Sequence, residues 1–287
     1  MKKDPLLRFG FILLLLLPFF RFTAALACEL GTQVTSETSL MASSHLVIEP
    51  HELMLVDAGL TKSDATKIAD WVASKQGRTL KYIFITHAHP DHFLGLEVLH
   101  QRFPGAKIIS TQGVVAAIKK EGPALVKKYK ARLGAEGPTH LIVPKILAGD
   151  TLKLEGVDVK FMELTGGESS VSAAAYVPAV QALFPGDVVY NETHAPLTKT
   201  GIQPWLKNLE RLSTFGPVRS VYAGHGPATN TAALDRMKAY LSDFEKAVET
   251  GNRDKALTMM KERYPKYQML AFLEKESIPA FLAKKTK

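Results

Sequence analysis

The segment Thr86-His87-Ala88-His89-Pro90-Asp91-His92 carries three imidazoles and a carboxylate within six consecutive residues. Imidazole and carboxylate are the side chains that suit zinc or iron. A chance run of solvated histidines seldom adopts this His-x-His-x-Asp-His order, so the chemistry to expect is metal coordination. The residues before the cluster, Leu80 to Thr86, are rich in Ile, Phe and Tyr and read as a buried strand. Those after it, Phe93 to Phe103, resume a helical pattern. The cluster therefore sits on a strand-to-helix loop, where polar side chains can converge without breaking the core.

Similar alternation runs through the chain from Leu46 and suggests helices layered on β-sheet. Leu53 to Val56 reads as a strand ending at Asp57-Ala58-Gly59. Ser63 to Gln76 then reads as a helix, with Ser63 or Asp64 as its N-cap and Trp71 in the core. Further strands are expected at Lys107 to Thr111 and Leu141 to Val143. Between them, Gln112 to Leu133 is helical but broken at Gly122-Pro123. Thr151 to Leu154 and Val157 to Leu164 form a hairpin across Glu155-Gly156. Strands near Ala173 to Val177, Gln181 to Phe184 and Arg219 to Tyr222 follow, with a helix from Pro204 to Leu212. From Thr231 the pattern is helical to about residue 282.

With these pieces in order, the chain resembles the metallo-β-lactamase superfamily from about Leu46 to Pro227. Asp57 in Val56-Asp57-Ala58-Gly59 looks like that family's early structural Asp. Asp187 in Phe184-Pro185-Gly186-Asp187 looks like its metal-bridging Asp, and His225 in Ala223-Gly224-His225-Gly226-Pro227 like its last ligand. The resemblance implies an α/β fold, the four-layer αβ/βα sandwich, here with C-terminal helices over about residues 231–287. It also implies two divalent metal ions, zinc first, with iron or manganese as alternatives. One would be held by His87, His89 and Glu168, the other by Asp91, His92 and His225, with Asp187 between them. Asp91 would also orient the attacking water.

Glu168 departs from the family pattern. The family usually has a His there, in a segment of the type Gly-His-Thr/Ser, whereas this chain reads Thr165-Gly166-Gly167-Glu168-Ser169-Ser170. An extra carboxylate weakens Lewis acidity and favours harder metals. Tyr190, three residues after Asp187, is placed like the tyrosine of lactone-opening members, whose phenol donates to the carbonyl or leaving oxygen. A tyrosine packed at a strand end is the competing reading. His194 and Trp205 could line the pocket mouth, although ordinary packing roles suit them as well.

The resemblance implies a hydrolase acting on a small-molecule substrate: an ester, a lactone or a thioester. β-Lactam cleavage ranks second, because the subclass sharing His-x-His-x-Asp-His usually lacks the bridging Asp that Asp187 supplies. A non-hydrolytic or iron-dependent redox relative is the third reading. The 38 positions between Asp187 and His225 leave no room for the inserted recognition domain of the family's nucleases.

Composition agrees with one enzyme-sized domain: 287 residues, 46% hydrophobic and 22% charged. Lys2, Lys3 and Arg8 precede a largely apolar run from Phe9 to Phe20 and then Ala25-Leu26-Ala27, the layout of a secretory signal over residues 1–27. The run is short for a permanent transmembrane anchor. Cleavage there leaves residues 28–45 as an N-terminal segment before a domain over 46–287, and implies a periplasmic or secreted protein. Cys28 is the sole cysteine and would come first, which raises lipid attachment to a membrane, though Ala25 stands where a lipobox usually has Leu. The net charge is +8, of which the first 27 residues hold +3. The lysines of the 119–132 helix and of the C-terminal tail read as solvated faces, not a nucleic-acid surface. Oligomeric state is open.

Overall fold

The computed structural model describes residues 28–198 and 201–283. The signal-sequence expectation and the terminal lysines lie outside these residues. Among the described residues, no helix is long and apolar enough to cross a membrane.

Two six-stranded sheets face one another. The first runs β1 (Glu29–Val34), β2 (Ser43–Ile48), β3 (Glu52–Val56), β4 (Thr79–Phe84), β5 (Lys107–Ser110) and β6 (Lys145–Ile146) in that order. Its first three strands are antiparallel, and the pairs from β3 to β6 are parallel. The second sheet is built from β7 (Thr151–Leu154), β8 (Val157–Thr165), β9 (Val171–Val177), β10 (Ala182–Tyr190), β11 (Ser220–His225) and β12 (Thr229–Asn230). Here only β10 and β11 pair in parallel.

Each parallel pair needs a crossover, and helices supply them. α1 (Lys62–Ala73) links β3 to β4, α2 (Pro90–Phe93) and α3 (Leu96–Arg102) link β4 to β5, and α4 (Gln112–Leu133) precedes β6. α5 (Ile202–Ser213) links β10 to β11, and α6 (Ala232–Glu249), α7 (Arg253–Arg263), a π-helix (Phe272–Ser277) and α8 (Ile278–Leu282) complete the chain.

The period-2 alternation of the second sheet divides the core. On β9, Ala173, Ala175 and Val177 face the first sheet with Phe184, while Ala174 and Tyr176 face a separate cluster with Trp205, Leu209, Met237 and Phe244. β3 is buried throughout, since Leu53 to Val56 are each at most 1% exposed. It is a central strand with α1 on one side and the partner sheet on the other. The layers are therefore helix, sheet, sheet, helix, as the fold class expected from the sequence requires.

Several local expectations change. The N-cap of α1 is Thr61, not Ser63 or Asp64: its hydroxyl accepts from Asp64 N, and Asp64 reaches back to Thr61 N, a capping box. Trp71 is only half buried and lies against Gly31 of β1, where a Cβ would come within 2.7 Å of the indole. β1 and the start of β2 fall in residues 28–45, so the stretch set apart as an N-terminal segment contributes the sheet's edge.

α4 runs unbroken through Gly122-Pro123. Pro123 and the Lys119 carbonyl it leaves without a donor both sit on the exposed face, where water can satisfy the carbonyl. Gly122 packs against Leu141, with a Cβ position only 2.6 Å from Leu141 Cδ1. That contact also explains why Leu141 to Val143 is not a strand. Its apolar side chains pack on the core, and pairing with β5 begins only at Lys145.

Candidate metal centre

The site lies where strand ends from both sheets meet. After β4 the chain passes Thr86, whose carbonyl accepts from Ala173 N of β9 at 2.7 Å, and His87 pairs with Ser172. His89 caps α2, which carries Asp91 and His92. Asp187 sits within β10 beyond an irregular step at Gly186, and His225 ends β11, paired with Ala42. Gly224 is required by close approach, since a Cβ there would lie 2.0 Å from Asp187 Oδ1.

Asp57 organises the first half. It follows β3 in the left-handed region, with φ at 63°, a conformation that Asp tolerates better than most residues. Its buried carboxylate accepts from Thr86 N and Thr86 Oγ1, each at 2.8 Å, and from His92 Nδ1 at 2.9 Å. Because the Thr86 hydroxyl spends its proton on Asp57, it can only accept from His87 Nδ1, 3.0 Å away. His225 Nδ1 donates to the Leu40 carbonyl at 2.7 Å. All three imidazoles thus have Nδ1 engaged and turn Nε2 toward the same space, the arrangement that orients metal-ligating histidines.

The acceptors gather there in two groups, His87, His89, Glu168 and Asp187, then Asp91, His92 and His225, with the ligand atoms of each within 4.8 Å of one another. Asp187 faces both, since Oδ2 is 3.5 Å from His87 Nε2 and 3.1 Å from His225 Nε2, while Oδ1 is 3.2 Å from His92 Nε2. Asp91 Oδ2 lies 3.3 Å from His225 Nε2. Glu168 Oε1 is 2.8 Å from His89 Nδ1, and its Oε2 is 3.8 Å from His87 Nε2.

Three of these atoms, His87 Nε2, Glu168 Oε2 and Asp187 Oδ1, are buried with no hydrogen-bond partner. Buried polar atoms left so cost free energy, and their convergence fits a cation. The charge balance agrees. Burial depresses His87 well below its ordinary value, so its Nε2 offers a lone pair. Burial works against His92 as well, yet Asp187, Asp91 and Asp57 outweigh it and hold the imidazole well above that value. His89 is likewise desolvated but raised to about 9 by Glu168. The pocket calls for positive charge, which a divalent cation supplies as well as protons do. All seven residues proposed from the sequence as ligands are therefore brought together, with the division into two groups that the resemblance implied.

Tyr190 adds a hydrogen bond. Its buried hydroxyl donates to Asp187 Oδ2 at 2.6 Å, and its ring stacks on His225 with centroids 4.7 Å apart. Burial, then Asp187 and Glu168, holds the phenol well above its ordinary value, so it stays a donor.

A sequence profile described as the metallo-beta-lactamase superfamily matches residues 38–225. The chain belongs to the metallo-beta-lactamase superfamily. It is a metal-dependent hydrolase of that superfamily, and the cluster is a set of side chains that could hold a metal ion. A metallo-beta-lactamase type 2 from Bacteroides fragilis is 20% identical over 69% of this chain and 74% of its own length. A hydroxyacylglutathione hydrolase from Brucella ovis is 24% identical over 73% of this chain, which spans 66% of that relative. Among solved structures, a metallo-beta-lactamase from Pontibacter korlensis superposes with a TM-score of 0.56, at 19% identity over 70% of this chain and 87% of that one.

Within this superfamily member, two residues considered for the pocket mouth are elsewhere. Trp205 is 1% exposed, and its indole Nε1 donates to Val188 O at 2.9 Å behind β10, so it belongs to the outer core. His194 is buried with Nδ1 3.1 Å from Tyr240 Oη, and burial lowers it to about 4, the state of a neutral packing residue. The cleft over the ligands is instead walled by Tyr129 and Arg132 of α4 and by Phe272 and Glu276 of the π-helix. Gly113, in the first turn of α4, packs against Glu163, whose carboxylate accepts from its N at 2.8 Å. Sequence reasoning missed the α4 wall. Its one signal is a tyrosine whose neighbours, Lys127, Lys128 and Lys130, are all basic.

The C-terminal helices reach the cleft because their chain is stitched to the loop after β10. His194 N donates to Gln268 O and Gln268 N to Glu192 O, both at 2.9 Å, and Leu197 N donates to Ser277 Oγ at 2.9 Å. The family profile ends at residue 225, so this wall lies beyond the matched residues.

Proposed function

We propose that the chain hydrolyses a small ester, lactone or thioester with two divalent ions, zinc first, held by His87, His89 and Glu168 and by Asp91, His92 and His225, with Asp187 between. The observation that carries this reading is the convergence of seven ligand side chains in two groups around Asp187, with three of their buried atoms lacking a hydrogen-bond partner. When bound, such ions polarise the scissile group and lower the pKa of a water molecule. The protein supplies the rest. Asp91, buried beside His92 and His225 and held well below the ordinary carboxylate range by them against the pull of burial, is an acceptor that orients the attacking water. Tyr190 keeps its proton and can turn it toward the carbonyl or leaving oxygen of a substrate in the cleft. The C-terminal wall narrows the opening to a volume of about 360 Å³, a small-molecule size.

β-Lactam hydrolysis is the second reading, supported by the match to the relative from Bacteroides fragilis over most of both chains. The match to a hydroxyacylglutathione hydrolase supports the first. The acidic Glu168 favours accommodation of iron or manganese beside zinc, and with iron an oxygen-dependent role is the alternative it opens.

The test is metal analysis of the full chain purified without added metal, followed by chromogenic esters, lactones, a thioester and a cephalosporin, each with and without chelator. Chelator-sensitive turnover of an acyl ester, lactone or thioester is expected. Turnover confined to the cephalosporin would select the second reading, and no turnover by zinc- or iron-loaded protein would overturn both. We further place the protein outside the cytoplasm by cleavage after Ala27. N-terminal sequencing and mass measurement of the mature chain test this and show whether Cys28 carries lipid.

A further inference from the structure

Arg132 is the one lysine or arginine lining the cleft among the described residues. The other charged groups there, apart from the ligand histidines, are acidic: Asp91, Glu168, Asp187 and Glu276. A lone guanidinium so placed has carboxylates to pair with, yet none of the ion pairs among the described residues includes Arg132. It lies instead over the ring of Tyr129, one helical turn earlier, with Cζ 5.6 Å from the ring centroid. Tyr129 is 8% exposed, and its hydroxyl feels the charges of both Asp91 and Glu276, which sets it between the ligand cluster and the mouth.

An arginine stacked on a buried aromatic ring is largely pre-organised, so less freedom is lost when its planar fork meets an anion. A carboxylate is the group that fork fits in two-point fashion. We propose that Arg132, positioned by Tyr129, anchors a carboxylate carried by the substrate away from its scissile bond, so that the enzyme selects anionic acyl compounds over neutral ones of equal size. This deepens the reading above and rests on that cleft being the substrate site. Glu276, on the opposite wall, opposes the same anion and limits how much negative charge the mouth accepts.

The probes are mono-4-nitrophenyl glutarate and 4-nitrophenyl butyrate, two esters that share a four-carbon acyl chain, which only the first extends with a terminal carboxylate. The measured quantity is the ratio of their kcat/KM values in the metal-loaded full chain. Arg132→Ala should lower the glutarate-to-butyrate ratio at least about tenfold, the loss of one charged hydrogen-bonded contact. Arg132→Lys should restore part of it, because a point charge replaces the fork. Glu276→Gln should raise it about two- to threefold. In wild type, KM for the glutarate ester should rise with salt, and in Arg132→Ala it should not.

Binding of the corresponding anilides, measured by calorimetry, reads the same preference without turnover. A ratio in Arg132→Ala within twofold of wild type, or equal affinity of wild type and Arg132→Ala for the glutaric monoanilide, overturns the proposal. If neither ester is turned over by wild type while Arg132→Ala still loses affinity for that anilide, the hydrolytic reading falls and the anion site stands.

Discussion

The two halves of the ligand cluster are built differently. In the half made by Asp91, His92 and His225, the far side of each imidazole is already fixed, His92 by Asp57 and His225 by the Leu40 carbonyl. In the half made by His87, His89 and Glu168, two of the three residues leave a buried atom without a partner, His87 Nε2 and Glu168 Oε2. His89 has no second anchor and is 38% exposed at its side chain. The first half is thus held by the fold, and the second is completed by what it binds. The difference teaches that the cluster is not one uniform cage: rigidity is concentrated around Asp57, and adaptability around Glu168.

The largest expected effect strikes the rigid half. Asp57→Ala leaves Thr86 N and His92 Nδ1 buried without an acceptor and removes the hydroxyl link that orients His87. Loss of one side of such a buried charged network costs about 3–5 kcal/mol. Loss of an outer carboxylate also costs about 10- to 100-fold in metal affinity. Denaturant melts and metal titration check both, and a variant as stable as wild type would break the comparison, because the first half would then need no anchor.

Glu168→Gln tests the adaptable half with a smaller expected effect. The amide keeps the size of the side chain and removes its charge beside His89, with no main-chain group losing a partner. Metal affinity of this half should fall about tenfold. The melting temperature under chelator should shift far less than for Asp57→Ala. Equal destabilisation by the two variants would show that Glu168 is as structural as Asp57.

A subtler change is Glu168→His, which restores the imidazole that relatives usually carry and removes one negative charge from a cluster that also holds Asp91 and Asp187. The zinc-to-iron ratio bound from an equimolar mixture should rise by a few-fold, following the softer ligand. Elemental analysis reads it, and an unchanged ratio would mean that Glu168 does not set metal preference.

The layered architecture was legible because the segments that build it are long and strongly patterned. β3 carries four consecutive apolar residues with both faces covered, and the Glu155-Gly156 turn joins β7 to β8 with φ values of 46° and 95°. The Thr86–His92 run announced a metal centre by residue type alone. Sequence order also sufficed to suggest Asp187 and His225, which the structure brings to the same point. What stayed hidden depends on packing between distant segments. Gly122-Pro123 reads as a helix breaker until Leu141 is seen against it, and Trp205 as a pocket residue until its indole is found bonded to Val188. The cleft walls are hidden for the same reason, since Arg132 and Glu276 are 144 positions apart and meet only through the fold.

Glu97 provides the smallest expected effect on the ligand cluster and a control for the comparison, because it anchors a loop outside both halves. From α3, its carboxylate accepts from Thr139 N at 2.6 Å, from the Thr139 hydroxyl, and from His140 Nδ1 at 3.0 Å. Burial works against the charge, but these donors outweigh it and hold the carboxyl at about 2. The sign follows from that depression. An unfolded glutamate protonates near ~4.3, so the stabilisation is fully present above that value and is lost as pH falls toward about 2. Glu97→Gln should cost roughly 1–3 kcal/mol at neutral pH, the usual range for removing a charged acceptor from several donors. The gap from wild type should close as pH falls through that window, with the metal affinities of both halves changing less than in Asp57→Ala. Urea melts at several pH values measure it. A gap that persisted undiminished near the lower limit would assign the loss to packing of the 137–140 loop and not to the carboxylate.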